Sequence, residues 1–372
     1  MLSHRVVLAG LVAAIGMIAM TAPLRAQDAP SPSPPVMVIG HRGASALLPE
    51  HTLAAYARAI ADGADFIEPD LVSTRDGVLV ARHENEIGGT TDVASRAEFA
   101  DRRRTQHIDG QAVEGWFTED FTLAELKTLR ARERLPQLRG TAHDGVHEVP
   151  TLDEVIEWVA QQAERGGRVV GLIPEIKHGT HFQAIGLPME QKLLDALQAH
   201  AYTRTAPVVI QSFEQANLRQ LRERLGPRHP NIRLLQLLDG PEARPGDALA
   251  AGAATRYAGL MAPEGLRAIA EYAEIIGPWT RTLMPETAEG ALGEPAPLMR
   301  DALAAGLQVW PYTFRPENHF LPRALREGDD PRQRNEAGSI AEIRAYLALG
   351  IGGFFTDDPA VGRRAVDGDE SR

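Results

Sequence analysis

The chain has 372 residues, a formal net charge of −11 and no cysteine. That length can bury a large core, as one barrel with insertions or as two ordinary domains. The acidic balance argues against nucleic acid or an anionic membrane surface as main partner. The lack of cysteine excludes disulfides, a thiol nucleophile, a thiolate metal site and a lipid-modified cysteine.

Residues 1–26 read as an export signal: His4 and Arg5, an apolar run over 6–20, then small residues before an expected cut after Ala26. An apolar run of 15 residues is short for a bilayer span, so a cleaved signal is expected and no stable membrane anchor after it. The mature chain would then be periplasmic or secreted. Losing Arg5 and Arg25 would take its charge from −11 to −13. Residues 27–35, "QDAPSPSPP", form a Pro/Ser linker that should stay extended.

From Val36 the pattern alternates short apolar runs with helical stretches, the signature of repeated βα units. Strands are expected at 36–39, 65–72, 78–82, 169–177, 207–213, 232–238, 273–279, 307–314 and 352–357. Helical segments such as "HTLAAYARAIADG", "QANLRQLRERLG" and "IAEIRAYLALG" close on a glycine, as helix stops should. The strand count favours a (β/α)8 TIM barrel over an open doubly wound sheet, as one domain over 36–363. The rhythm breaks once, over about 84–150, read as a segment inserted after the third strand. There Thr122 and Glu125 can form a capping box for an amphipathic helix, and Thr151 with Glu154 forms another where the βα pattern resumes. The tail, 364–372, is expected to be disordered.

In such barrels the chemistry sits at the C-terminal ends of the strands. Ionisable residues gather there: His41 and Arg42 after the first strand, Glu68 and Asp70 in the second, His83 and Glu84 after the third, Glu175 and Lys177 at the fourth. Strand side chains alternate faces, so Glu68 and Asp70 point one way while Ile67 and Leu71 turn to the helices; Glu175 and Lys177 share a face by the same rule. Three carboxylates converging on a barrel mouth repel one another unless a cation or protons intervene. An all-oxygen set selects a hard divalent ion, Ca²⁺ or Mg²⁺, over zinc. Taken singly, Glu50 reads as a first-turn helix acid, and Asp357 and Asp358 of "FTDDP" as turn or cap residues.

The stretches "HRGASALLPEHT", "IEPDLVSTRDGVLVARHE", "PEIK", "QSF", "PYT" and "FTDDP", in this order, resemble the glycerophosphodiester phosphodiesterases, particularly the larger periplasmic type. The resemblance runs from Val36 to about Val361. It implies a barrel with an inserted segment, and a calcium-dependent phosphoric diester hydrolase acting on deacylated phospholipids. Carried over, His41 and His83 match the catalytic histidine pair, Arg42 the phosphate-binding arginine, and Glu68, Asp70 and Glu175 the metal ligands. Lys177 would add positive charge beside the phosphate. Gly43 would let the backbone approach the anion.

The expected products are sn-glycerol 3-phosphate and an alcohol. Two rival readings are a phospholipase D-like lyase on the same barrel and a non-catalytic phosphodiester-binding protein of the envelope. The chain departs from the family at "HENEIGGTTDV", where Glu84 lengthens the usual acid by a methylene, and at Trp310, which is expected to shape the pocket.

Overall fold

The computed structural model describes residues 1–2 and 35–368. The expected signal and linker therefore lie, but for residues 1, 2 and 35, outside the described residues, as do 369–372.

From Pro35 the chain forms one unit. Its strands are β1 (Met37–His41), β2 (Phe66–Glu68), β3 (Asp70–Ser73), β4 (Leu79–Ala81), β5 (Arg104–Ile108), β6 (Gln111–Gly115), β7 (Gly171–Leu172), β8 (Glu175–Ile176), β9 (Val208–Ser212), β10 (Ile232–Leu238), β11 (Ile275–Pro278), β12 (Gln308–Val309) and β13 (Gly353–Thr356). Prolines, which have no N–H to donate, interrupt two of the staves: Pro69 parts β2 from β3, and Pro174 lies between β7 and β8. Counting each split pair as one stave, eight parallel staves pair in succession around the barrel. Closure comes from Gly352 N donating to Val309 O at 3.1 Å and Phe355 N to Pro311 O at 3.0 Å. The fold is the (β/α)8 TIM barrel that the strand count predicts.

The third strand in chain order differs from expectation. Strand β4 runs antiparallel to β3, because residues 74–78 are a tight turn and a parallel return needs a dozen or more residues. It is therefore a flap on the second stave, and the inserted segment lies between that stave and the helix Leu152–Gly166. Within the insertion, β5 and β6 form an unexpected antiparallel hairpin. Both capping boxes form, at Thr122 with Glu125 and at Thr151 with Glu154. The first opens only a single turn, Leu123–Leu126. Beyond it the chain extends so that Ala131 can bridge to Thr91, and tertiary pairing overrides helix propensity. The tail also differs: the helix Pro359–Asp367 takes in 364–367, anchored by buried Val361 and Ala365 on its apolar face.

Residues alternate along each stave. Ile39 precedes His41, Phe66 precedes Glu68 and Asp70, Ile173 precedes Glu175 and Lys177, Val209 precedes Gln211, and Phe355 precedes Asp357. The apolar members of these rows, with Leu235, Ile275 and Trp310, pack as one cluster. Their intervening neighbours Ile67, Leu71, Ile176 and Ile210 pack in a second core with helix residues such as Tyr56 and Leu218. Burial of each such side chain contributes roughly 1.5–3 kcal/mol. The inner cluster floors the barrel, so in these five rows the polar residue two positions later stands at the mouth. Gly171 makes room for this floor, since a Cβ there would lie 2.1 Å from the Phe66 ring.

Candidate active site

Register brings the acids together. His41 stands beside Glu68, and Asp70 beside Glu175, which stands beside Gln211. Neighbouring staves are about 4.8 Å apart, and ligand oxygens of Glu68, Asp70 and Glu175 lie within 4.8 Å of one another. All three side chains are buried. Burial, then the charges of Asp70 and Glu175, push the Glu68 carboxyl well above its usual range. Burial pushes Glu175 up to about 8 against the pull of Lys177. Burial works the same way on Asp70, yet Lys177 and His51 hold its carboxyl well below the usual range.

The outward-facing contacts fix the set. Glu68 accepts from Arg42 N at 2.8 Å and from Gln211 Nε2 at 2.9 Å. Asp70 Oδ2 accepts from His51 Nε2 at 2.8 Å, with the tautomer assigned by the Tyr56 hydroxyl at His51 Nδ1. Glu175 Oε1 pairs with Lys177 Nζ at 2.8 Å. Asp70 Oδ1 remains buried with no hydrogen-bond partner. An orphaned carboxylate oxygen, two acids lifted by burial and by the neighbouring acids, and an all-oxygen donor set fit a hard divalent cation, oriented by its outer contacts.

Arg42 has a left-handed backbone, φ 58°, uncommon for a residue with a Cβ and frequent at functional sites. That turn aims its N–H at Glu68 while Nη1 reaches Glu50 at 3.0 Å. Gly43, at φ 94°, serves packing rather than an anion: a Cβ there would lie 2.7 Å from the backbone of Ala55. Glu50, at the mouth rather than inside the helix that Thr52 caps, also accepts two hydrogen bonds from Arg134, at 2.8 and 2.6 Å. Despite burial, Arg134 and Arg42 hold its carboxyl well below the usual range.

Both histidines are backed by carboxylates. His41 Nδ1 donates to Asp357 at 2.6 Å, and Asp357 in turn accepts from Arg139 at 2.6 Å and Arg315 at 2.9 Å. His83 Nδ1 bonds Glu84, which Arg134 holds at 2.9 and 2.6 Å. With Nδ1 occupied in each ring, Nε2 is the nitrogen that remains; that of His83 lies 3.2 Å from Lys177 Nζ. Burial and the Arg42 charge lower His41 to about 4, and with Lys177 added they lower His83 to about 3. Both rings are thus neutral bases near pH 7.

His41, Arg42, Glu68, His83 and Glu175 line one pocket of about 400 Å³ with Gln211. Asp70 stands beside it in the acid cluster, and Lys177 faces an adjoining cavity. Trp310 does not shape the pocket; it is 1% exposed in the barrel floor, 5.9 Å from the Phe66 ring, and Tyr312 two positions on takes its expected place. Asp358 caps its helix, its carboxylate accepting from Val361 N. Asp357 is not the turn or cap residue expected but backs His41 at the mouth, and its place two beyond Phe355 on the inner face is the signal that would have found it. Arg134, Arg139 and Arg315 had no local signal.

The fold is a TIM barrel whose mouth gathers an acid cluster, two histidines and an arginine. Residues 41–361 match the model of the glycerophosphoryl diester phosphodiesterase family. The glycerophosphodiester phosphodiesterase GDPD6 of Arabidopsis thaliana is 36% identical over 336 residues, covering 86% of this chain and 82% of its own. A glycerophosphodiester phosphodiesterase of Haemophilus influenzae is 28% identical over 351 residues, covering 89% and 90%. Among solved structures, a Silicibacter pomeroyi protein superposes with a TM-score of 0.60 at 23% identity, covering 90% of this chain and 94% of its own. An Oleispira antarctica phosphodiesterase in complex with the product sn-glycerol-3-phosphate gives 0.53 at 19%, covering 89% and 96%. The chain belongs to the glycerophosphoryl diester phosphodiesterase family.

Proposed function

We propose that the site hydrolyses glycerophosphodiesters to sn-glycerol 3-phosphate and an alcohol, by metal-assisted general acid/base catalysis with His41 and His83. The carrying observation is that two carboxylate-backed histidines face one pocket whose wall holds Arg42, Glu68 and Glu175, with Asp70 completing the acid cluster beside it. The product complex of the Oleispira antarctica fold relative supports the choice of substrate.

Glu68, Asp70 and Glu175 would hold the cation, Ca²⁺ by family resemblance, with Mg²⁺ the other hard ion these oxygens accept. When bound, it draws charge from the phosphoryl oxygens and balances the three acids. Arg42 binds phosphoryl oxygen, held in place by Glu50. Lys177 remains charged despite burial, because Glu175 and Asp70 favour its cation. One histidine takes the proton of the glycerol hydroxyl next to the ester, that oxygen attacks phosphorus, and the other histidine protonates the departing alcohol oxygen. Water then opens the cyclic phosphate with the two roles exchanged. Because both rings are neutral in the free protein, the proton on the acid is stabilised by the phosphate charge of the substrate. Intramolecular attack avoids most of the entropy of recruiting a nucleophile.

Residues 1–26 support a periplasmic or secreted location, testable by mass spectrometry for cleavage after Ala26. Among the described residues, no helix is long and apolar enough to cross a membrane. The function is tested with glycerophosphocholine and with an analogue in which hydrogen replaces the neighbouring hydroxyl. The diester should release choline and the analogue should bind but turn over poorly. Normal turnover of the analogue would show direct attack by water, and no choline release would overturn the reading.

A further inference from the structure

A second cavity, of about 640 Å³, adjoins the phosphate pocket, and Glu175 and Phe213 line both. Its far wall carries three acids from separate elements: Asp109 from the β5–β6 turn, Glu214 after β9 and Asp239 after β10. Positive groups face it too, and most of them are engaged. Lys177 is paired with Glu175, His178 hydrogen-bonds Asp109 at 2.7 Å, and Arg244 donates to the carbonyl of Ala253. Glu214 and Asp239 have no ion pair among the described residues.

Glu214 is 4% exposed. Its Oε2 accepts from the N–H of Thr180 at 2.9 Å and from the Thr180 hydroxyl, while Oε1 is buried with no hydrogen-bond partner. Burial pushes this carboxyl up to about 7, the response of an acid without a counter-charge. Gly246 keeps the space open: a Cβ there would lie 3.1 Å from Glu214 Oε1 and 2.7 Å from Asp109 Oδ1. Phe213 and Tyr257 meet edge to face on the same wall, with ring centroids 6.3 Å apart. The Phe213 ring already attracts one cation, since Lys177 Nζ lies 5.4 Å from its centroid. Carboxylates without an ion pair beside aromatic rings are the surroundings that stabilise an organic ammonium.

We propose that this cavity holds the departing alcohol and selects one bearing an ammonium group, choline or ethanolamine, with Glu214 and Asp239 supplying the counter-charge. The inference rests on the diesterase reading above. An amine two carbons from the ester oxygen enters the acid-lined wall while the ester stays against Arg42. A neutral polyol gains no such pairing.

The test compares kcat/KM for glycerophosphocholine with that for its uncharged carbon isostere, the 3,3-dimethylbutyl ester, in wild type, Glu214→Gln, Asp239→Asn and Gly246→Ala. The wild type should favour the charged diester by about tenfold or more, the scale of a partly desolvated cation contact. That ratio should fall towards unity in each acid variant. Gly246→Ala should disfavour both bulky esters relative to glycerophosphoglycerol. Each ratio is taken within one protein, so a general loss of activity cancels. Equal turnover of the two esters by the wild type, or a preference that survives both acid substitutions, overturns the inference and leaves the diesterase reading standing. Failure to hydrolyse any glycerophosphodiester overturns the diesterase reading itself.

Discussion

Asp357→Asn isolates the contribution of a carboxylate that touches no substrate. Asparagine keeps the shape of the side chain and one acceptor oxygen, but removes the charge that holds His41, Arg139 and Arg315 at 2.6, 2.6 and 2.9 Å. Each charge-assisted bond contributes roughly 1.5–3 kcal/mol. Neither arginine is stranded, however: Arg139 retains Glu317 and the Ser45 carbonyl, and Arg315 stays 4.6 Å from the Phe320 ring. The net loss should be about 2–4 kcal/mol, or roughly 3–6 °C in Tm for a chain of this size. The kinetic effect should be larger. An amide NH₂ turned towards His41 selects the wrong tautomer, and kcat should fall by about 10²- to 10⁴-fold with little change in KM. The assay is choline release from glycerophosphocholine at saturating calcium, well below the variant's Tm. Because Asp357 acts through His41, the double variant with His41→Ala should be no slower than His41→Ala alone. A folded Asp357→Asn enzyme within about tenfold of wild-type kcat, or a double variant far slower than the single, would refute this assignment.

Chelation should abolish turnover and calcium should restore it, while Glu175→Gln weakens calcium binding measured by calorimetry; full activity after exhaustive chelation removes the metal from the mechanism. His41→Ala and His83→Ala should each lower kcat by at least ~10²-fold with a modest change in Tm, and a variant with near-normal kcat identifies that ring as structural. Gly171→Ala pushes a methyl into the Phe66 ring and should destabilise the barrel by about 1–3 kcal/mol, seen as a lower Tm with kcat retained; an unchanged Tm would show that the floor can yield.

The sequence revealed the staves and the acids because both follow from a period of two. Glu68, Asp70, Glu175 and Lys177 could be assigned to one face from spacing alone, and register then placed them side by side. Strand direction carries no such signature, so β4 reads like its neighbours until the short turn before it is taken into account. In "FTDDP" two adjacent acids share one local pattern, yet Asp358 caps a helix and Asp357 faces the mouth, because alternation puts neighbours on opposite sides. Arg134 and Glu50 are 84 positions apart, and Arg139 and Asp357 are 218 apart. Contacts of that separation depend on how the insertion folds back, which no local spacing encodes.

Arg134 and Arg139 both come from the inserted segment, and they secure the two carboxylates behind the two histidines. Barrel and insertion are therefore interdependent parts of one structure. A chimera that grafts the mouth residues onto a barrel with a shorter connection would carry the acid cluster across, but would leave Glu84 without Arg134 and Asp357 with only Arg315 of its two arginines. Exchanging the stretch from Arg134 to Arg139 would remove both arginines at once and loosen Glu84 and Asp357 together.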